Sequence, residues 1–133
     1  MSDCQTAQLM DDFQNDRIAP EEFSHVQHVE TAYALLRHKP FLEAVTLYAE
    51  GLSKLAVAAG APKKFNMTIT LAYLGLIAER IEADPSTNWD QFIARNGDLL
   101  DKGLLLRWYD SERLWSDSAR KSFLMPIADL CAI

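Results

Sequence analysis

Residues 65–83 read FNMTITLAYLGLIAERIEA, and this stretch indicates the fold class most directly. On a helical wheel its apolar side chains cover most of the circumference. Only Thr68, Gly75, Glu79 and Glu82 define a side that we expect to face solvent. A helix this apolar normally lies at the centre of a bundle, so the stretch predicts a central helix.

Helical periodicity continues on both sides of this stretch, and no segment alternates with a two-residue period. Ser24 and Gln27 form a capping box that starts a helix over residues 25–38, with Phe23 as its hydrophobic staple. An amphipathic helix over 40–59 ends at Gly60, and a short helix is expected over 3–13. The sequence therefore predicts an all-α fold, an irregular helical bundle. It forms a single domain over residues 1–133, with three long helices and several short C-terminal helices.

Composition and charge exclude several classes of protein. A chain of 133 residues, 49% hydrophobic and 24% charged, has the size and composition of one globular domain. A net charge of −6 and a pI near 4.9 argue against nucleic acid or an anionic membrane as a partner. The sequence lacks a bilayer-spanning apolar run and a secretory signal pattern, so we expect a cytoplasmic protein. Cys4 and Cys131 are expected to be free thiols, with a disulfide between them as the alternative.

Two histidines stand out at the start of the second predicted helix. The capping box places His25 at the first helical position and His28 at the fourth. Both rings point toward the apolar side of the helix, whereas Thr31 and His38 fall on the opposite side. Imidazole is a poor packing residue, so two imidazoles facing a core suggest a site.

A second polar cluster lies on the central helix. Asn66, Thr70 and Tyr73 recur at helical spacing within its apolar arc. A buried polar group without a partner costs about 1–3 kcal/mol, so these side chains need partners. The two histidines form the other inward-facing polar cluster, and the clusters meet if the two helices run parallel. We therefore expect a pocket for a small molecule, or an enzyme-like pocket, lined by His25, His28, Asn66, Thr70 and Tyr73.

The histidine pair has other interpretations. Two imidazoles at this spacing can ligate one metal ion, so a Zn²⁺ site at His25 and His28 is an alternative. A transition-metal site usually takes a third protein ligand, which the sequence does not supply, so no cofactor is predicted. The other alternative is that both are neutral, hydrogen-bonded core histidines. The chain would then be a non-catalytic interaction or structural domain, including a homodimer.

The chain resembles a bacterial family of small, uncharacterised helical proteins. The resemblance rests on FSHVQHV at 23–29, KFNMTIT at 64–70, NGDLL at 96–100 and the segment 108–120. Similar proteins carry F-[ST]-H-x-x-H-V and K-Y-H-x-T-I-T, and the resemblance implies a shared pocket built from these two motifs, without an assigned activity. This sequence departs from the second motif at Asn66, where similar proteins have histidine. The departure removes a natural third imidazole.

Two further patterns are less specific. Lys63 and Lys64 precede a helix N-terminus, where backbone amides and the helix dipole favour anions, so they are candidates for an anion site or a solvated loop. Four aromatic residues near the C-terminus are expected to be core, with a docking surface as the alternative. These are Trp108, Tyr109, Trp115 and Phe123.

Overall fold

In the computed structural model of this protein, residues 2–84 and 88–126 are described, and they form an all-α fold. The irregular helical bundle predicted from the sequence is confirmed. Its helices are α1 (Ser2–Gln14), α2 (His25–His38), α3 (Phe41–Ala58), α4 (Met67–Ala83), α5 (Trp89–Arg95), α6 (Ser111–Leu114) and α7 (Asp117–Lys121). Single 3₁₀ turns lie at Pro20–Glu22, Pro62–Lys64, Gly97–Leu100 and Leu104–Arg107.

The first helix is longer than expected. It spans 13 residues and packs on α2, so the bundle has a fourth long helix beside the three predicted ones. Phe13 anchors its end, stacking on Phe23 and lying against the ring of Tyr48. Near its start, Thr6 donates a hydrogen bond of 2.7 Å to Glu30 of α2. These contacts, more than the modest apolar content of α1, hold the helix in place.

The predicted start of α2 is confirmed. The Ser24 hydroxyl accepts from the Gln27 amide, and the Gln27 side chain accepts from the Ser24 amide. Phe23 packs on His28, with ring centroids 4.4 Å apart, as a hydrophobic staple requires. At the end of α3, Gly60 has a φ of 73°, the left-handed conformation expected of a glycine that follows a helix.

Two threonines assigned to solvent-facing sides are buried instead. Thr31 and Thr68 both have 0% exposure. Helix α2 is packed by α1, α3, α4 and α5, so it has no broad solvent side where Thr31 lies. Thr68 is covered by the C-terminal segment, since its hydroxyl donates to the Ser122 carbonyl and accepts from the Leu124 amide. Those expectations failed because a wheel divides a helix into two sides, whereas these helices are covered on more than one.

The C-terminal aromatic residues divide into two groups. Tyr109 is 5% exposed, and its hydroxyl donates to the Leu124 carbonyl at 2.7 Å. Trp108, Trp115 and Phe123 are 42%, 55% and 41% exposed, so the prediction that they belong to the core is wrong. Trp108 and Trp115 cap the ends of the turns Leu104–Arg107 and Ser111–Leu114, and Phe123 lies beyond α7, so none of them belongs to a helix face that packs on the core.

Two further observations concern the chain as a whole. In the described ranges, no helix is long and apolar enough to cross a membrane. Cys4 is exposed, and the alternative disulfide to Cys131 falls outside the described residues.

Candidate functional site

One cavity of about 380 Å³ lies where α2, α3 and α4 approach one another. The five side chains that the sequence predicts for a pocket all line it: His25, His28, Asn66, Thr70 and Tyr73. Helix α3 contributes a further wall, and Trp115, which follows α6, also lines the cavity. The structure thus brings the two predicted polar clusters to one cavity; their role in binding stays a prediction.

His25 is held by a backbone group from a distant turn. Its Nε2 lies 3.1 Å from the carbonyl oxygen of Leu99. A carbonyl oxygen only accepts hydrogen bonds, so Nε2 carries the hydrogen and donates it. The ring also meets Tyr73 edge to face, with centroids 5.6 Å apart and an interplanar angle of 75°. This contact joins the first turn of α2 to the second turn of α4.

His28 presents an uncharged imidazole to the same cavity. Burial, together with a smaller contribution from the repulsion between the two imidazoles when both are charged, lowers the pKa of His28 from 6.5 to about 4. The aromatic face of Phe23 covers it on one side. At neutral pH this ring is therefore a neutral hydrogen-bonding group on a mostly apolar wall.

Asn66 has a different role from the one expected. It precedes α4 as the N-cap and is not part of the helix, and its Oδ1 accepts from the Ile69 amide at 2.9 Å. Its Nδ2 donates a hydrogen bond of 2.7 Å to the carbonyl of Leu114. The backbone carbonyl of Asn66 accepts a hydrogen bond of 2.7 Å from the Thr70 hydroxyl. The expectation that these polar groups need the histidines as partners is therefore wrong. Helix α4 begins at Met67, two residues later than predicted, so Asn66 is its N-cap. Backbone groups therefore satisfy the side chains of Asn66 and Thr70.

Two tyrosines complete the polar part of the cavity. The Tyr73 hydroxyl donates to the Asp101 carbonyl at 2.8 Å, and the Tyr48 hydroxyl donates to the His28 carbonyl at 3.1 Å. Burial raises the pKa of Tyr73 to about 12 and raises that of Tyr48 further above its ordinary value. Both hydroxyls are therefore protonated and anchored. Tyr48 was not among the predicted site residues, although a hydroxyl on the apolar face of α3 indicates a polar contact there.

An ion pair outside the cavity, between Arg80 and Asp98, positions the Leu99 carbonyl. Arg80 of α4 makes two hydrogen bonds to the Asp98 carboxylate, at 2.9 and 2.8 Å, and one to Asn96 at 3.1 Å. Bonding to Arg80 lowers the pKa of Asp98. Because Asp98 and Leu99 share the turn Gly97–Leu100, this ion pair fixes the carbonyl that His25 contacts. No spacing rule in the sequence pairs Arg80 with Asp98.

The two candidate anion-binding lysines occupy different positions. Lys63 and Lys64 are both exposed and belong to the 3₁₀ turn Pro62–Lys64. Lys64 lines the cavity, whereas Lys63 does not. The first turn of α4 is capped by Asn66, which already occupies the Ile69 amide.

The histidine pair alone supplies fewer ligands than a transition-metal ion usually takes from a protein. The two ring centroids are 6.4 Å apart, and Nε2 of His25 is engaged by Leu99. Within residues 2–84 and 88–126, no group of three or more histidine, cysteine, aspartate or glutamate side chains is placed to hold a metal ion. A metal at this position would need ligands from water or from a bound molecule.

Comparison with protein-family models, curated proteins and solved structures finds no match to this chain. The resemblance to a bacterial helical family therefore stays a prediction from its motifs. The geometry of the cavity is the basis for any functional assignment.

Proposed function

We propose that this protein binds a small, largely apolar molecule in the cavity between α2, α3 and α4. The proposal rests on a cavity of about 380 Å³ with apolar walls and a few fixed polar groups. Small-molecule sites are typically clefts of roughly 300–1,000 Å³ with this composition. The apolar wall includes Phe23, Leu52, Leu55, Phe65, Ile69 and Trp115.

Binding accounts for the polar groups better than catalysis does. The Tyr48 and Tyr73 hydroxyls are committed to backbone carbonyls. A pKa of about 4 makes His28 a weak base at neutral pH, whereas effective general bases have pKa values near the working pH. Ser24 is occupied as the cap of α2, so it is not a nucleophile for the adjacent His25. These groups are better suited to orienting a ligand than to transforming one.

The test is titration with N-phenyl-1-naphthylamine, a neutral apolar fluorophore whose emission rises in apolar surroundings. Two neighbouring residues of α3 provide matched variants, since Ala56 lines the cavity and Val57 is 62% exposed outside it. We expect saturable binding to the wild type, at least a tenfold loss of affinity in Ala56→Trp, and a change under twofold in Val57→Trp.

Thermal melts of each variant show whether it is folded. If Ala56→Trp does not fold, Leu52→Phe fills the same wall from one turn earlier and takes its place. Absence of saturable binding to the wild type, or equal binding by the filled and control variants, would overturn the proposal. The same melts with Zn²⁺ test the metal alternative, because a ligand that binds the folded state raises the melting temperature.

The second candidate is a non-catalytic interaction domain, including a homodimer. Exposed apolar side chains in the C-terminal third favour it, among them Leu106, Trp108 and Met125 at 55%, 42% and 56%. Sedimentation velocity separates the two candidates. A concentration-dependent dimer that Trp108→Lys dissociates would support an interface, and a monomer that binds the fluorophore would support the cavity.

A further inference from the structure

We infer that the ligand of this cavity is a small aromatic carboxylate, with its ring inside and its single negative charge at Lys64. This inference rests on the proposed function and narrows it to a chemical class. It also assigns anion binding to Lys64 and not to Lys63, whereas the sequence names the two lysines together.

The charges around the cavity favour one anionic group. Among the described residues that line it, none is an aspartate or glutamate, and Lys64 is the one lysine or arginine. No ion pair involves Lys64 within the described part of the chain. Asp98 and Asp101 lie near Tyr73 but off the cavity wall, and Asp98 is paired with Arg80. An anion at the Lys64 side therefore meets an available cation and no lining carboxylate.

The charge of the ligand has to stay near the surface. His28 is neutral and the Tyr48 hydroxyl stays protonated, so neither supplies a countercharge for an ion on the inner wall. Lys102, whose charge acts on the pKa of His28, does not line the cavity. Moving an unpaired ion into such surroundings is costly, because it loses its hydration. Lys64 is exposed, so a carboxylate beside it keeps contact with water while the rest of the ligand is buried.

The rings on the wall favour an aromatic body. Phe23, Tyr48, Phe65, Tyr73 and Trp115 line the cavity together with the two imidazoles. Aromatic side chains pack on other rings in offset or edge-to-face geometry, which adds to the area that they bury. His25 and Tyr73 already pack edge to face across the α2–α4 contact. A flat ring extends that arrangement better than a branched aliphatic group.

The experiment is calorimetric titration with three ligands that carry the same naphthalene ring system and differ in charge: 2-naphthylacetate, 2-naphthylacetamide and 2-(2-naphthyl)ethylamine. We expect the carboxylate to bind most tightly and the amine least. Lys64→Gln should lower the affinity for the carboxylate about three- to fivefold, as befits an exposed ion pair, and leave the amide unchanged. Lys63→Gln is the matched control, and we expect under twofold change for every ligand.

Each other outcome has a defined meaning. If the amide binds as tightly as the carboxylate, or Lys64→Gln leaves their ratio unchanged, the charge assignment is overturned while the proposed binding cavity stands. If N-phenyl-1-naphthylamine binds but none of the three naphthyl ligands does, the aromatic carboxylate is likewise overturned as the ligand, and the proposed binding cavity stands. If neither that fluorophore nor any naphthyl ligand binds, the proposed function itself fails.

Discussion

Nε2 of His25, in the first turn of α2, lies 3.1 Å from the carbonyl oxygen of Leu99, 74 residues further along the chain. This contact fixes the imidazole ring on the cavity wall, because the carbonyl accepts the Nε2 hydrogen. The turn that carries Leu99 is in turn held by the Arg80–Asp98 pair. Three separate parts of the sequence therefore determine the orientation of one side chain.

Stability should fall in mildly acidic solution because of His28. Its folded pKa is about 4 against 6.5 as its ordinary value, so the unfolded state binds more protons between these values. The free energy of unfolding should therefore decrease as the pH drops from about 6.5 to about 4, by up to about 3 kcal/mol. Urea unfolding of the wild type and His28→Gln at several pH values measures this, and the decrease should be smaller in the variant.

His38, exposed at the end of the same helix, provides the control for that measurement. His38→Gln should keep the pH dependence of the wild type. The carboxylates of Asp12 and Asp98 have lowered pKa values, so their stabilisation is lost as the pH falls below about 4, outside this window. An unchanged slope in His28→Gln would show that this imidazole is not desolvated.

Replacing Asn66 should lower the free energy of unfolding more than replacing an ordinary N-cap does. Asn66→Ala removes the cap of α4 and leaves the buried Leu114 carbonyl without its partner, so we expect a loss of about 2–4 kcal/mol. Asn88 caps α5 through the same kind of bond, to the Gln91 amide at 2.9 Å, so Asn88→Ala should cost about 1 kcal/mol. Chemical denaturation compares the two variants. Equal losses would contradict the structural role of the Leu114 contact.

Two helical glycines should respond in opposite ways to alanine. A Cβ on Gly51 would overlap the ring of Phe13, which is 4% exposed and packed by Phe23 and Tyr48. Gly51→Ala should therefore destabilise the fold by about 1–3 kcal/mol. Gly75 has open space around its Cβ position, so Gly75→Ala should stabilise the fold by up to about 1 kcal/mol through helix propensity. Melting temperatures that rise in both variants would place Phe13 elsewhere.

The two buried threonines form a further matched pair. Thr31→Val removes a hydroxyl that has no hydrogen-bond partner among the described residues, so stability should stay the same or rise by about 1 kcal/mol. Thr68→Val removes the partner of the Ser122 carbonyl and the Leu124 amide, so we expect a loss of about 1–3 kcal/mol. Both replacements preserve side-chain shape, so differential scanning calorimetry reports the hydrogen bonding alone. A larger loss at Thr31 than at Thr68 would contradict the contacts described.

The helical class, the capping box at Ser24 and the left-handed Gly60 were predictable from local sequence, because each depends on residues within one or two turns of each other. The sequence also predicted the five polar side chains that line the cavity. Helical periodicity accounts for four of them, whereas Asn66 precedes α4 and was included because the helix was predicted to begin two residues earlier. Lys64, on the cavity rim, was named together with Lys63 and not distinguished from it.

The groups that these side chains contact depend on how the helices and turns pack together. The partner of His25 is the Leu99 carbonyl, that of Asn66 is the Leu114 carbonyl, and that of Tyr73 is the Asp101 carbonyl. Every residue has a carbonyl, so no residue type or spacing marks these acceptors in advance. The burial of Thr31 and Thr68 likewise depends on how many neighbours pack around a helix, which is a property of the assembled bundle and not of the helix alone.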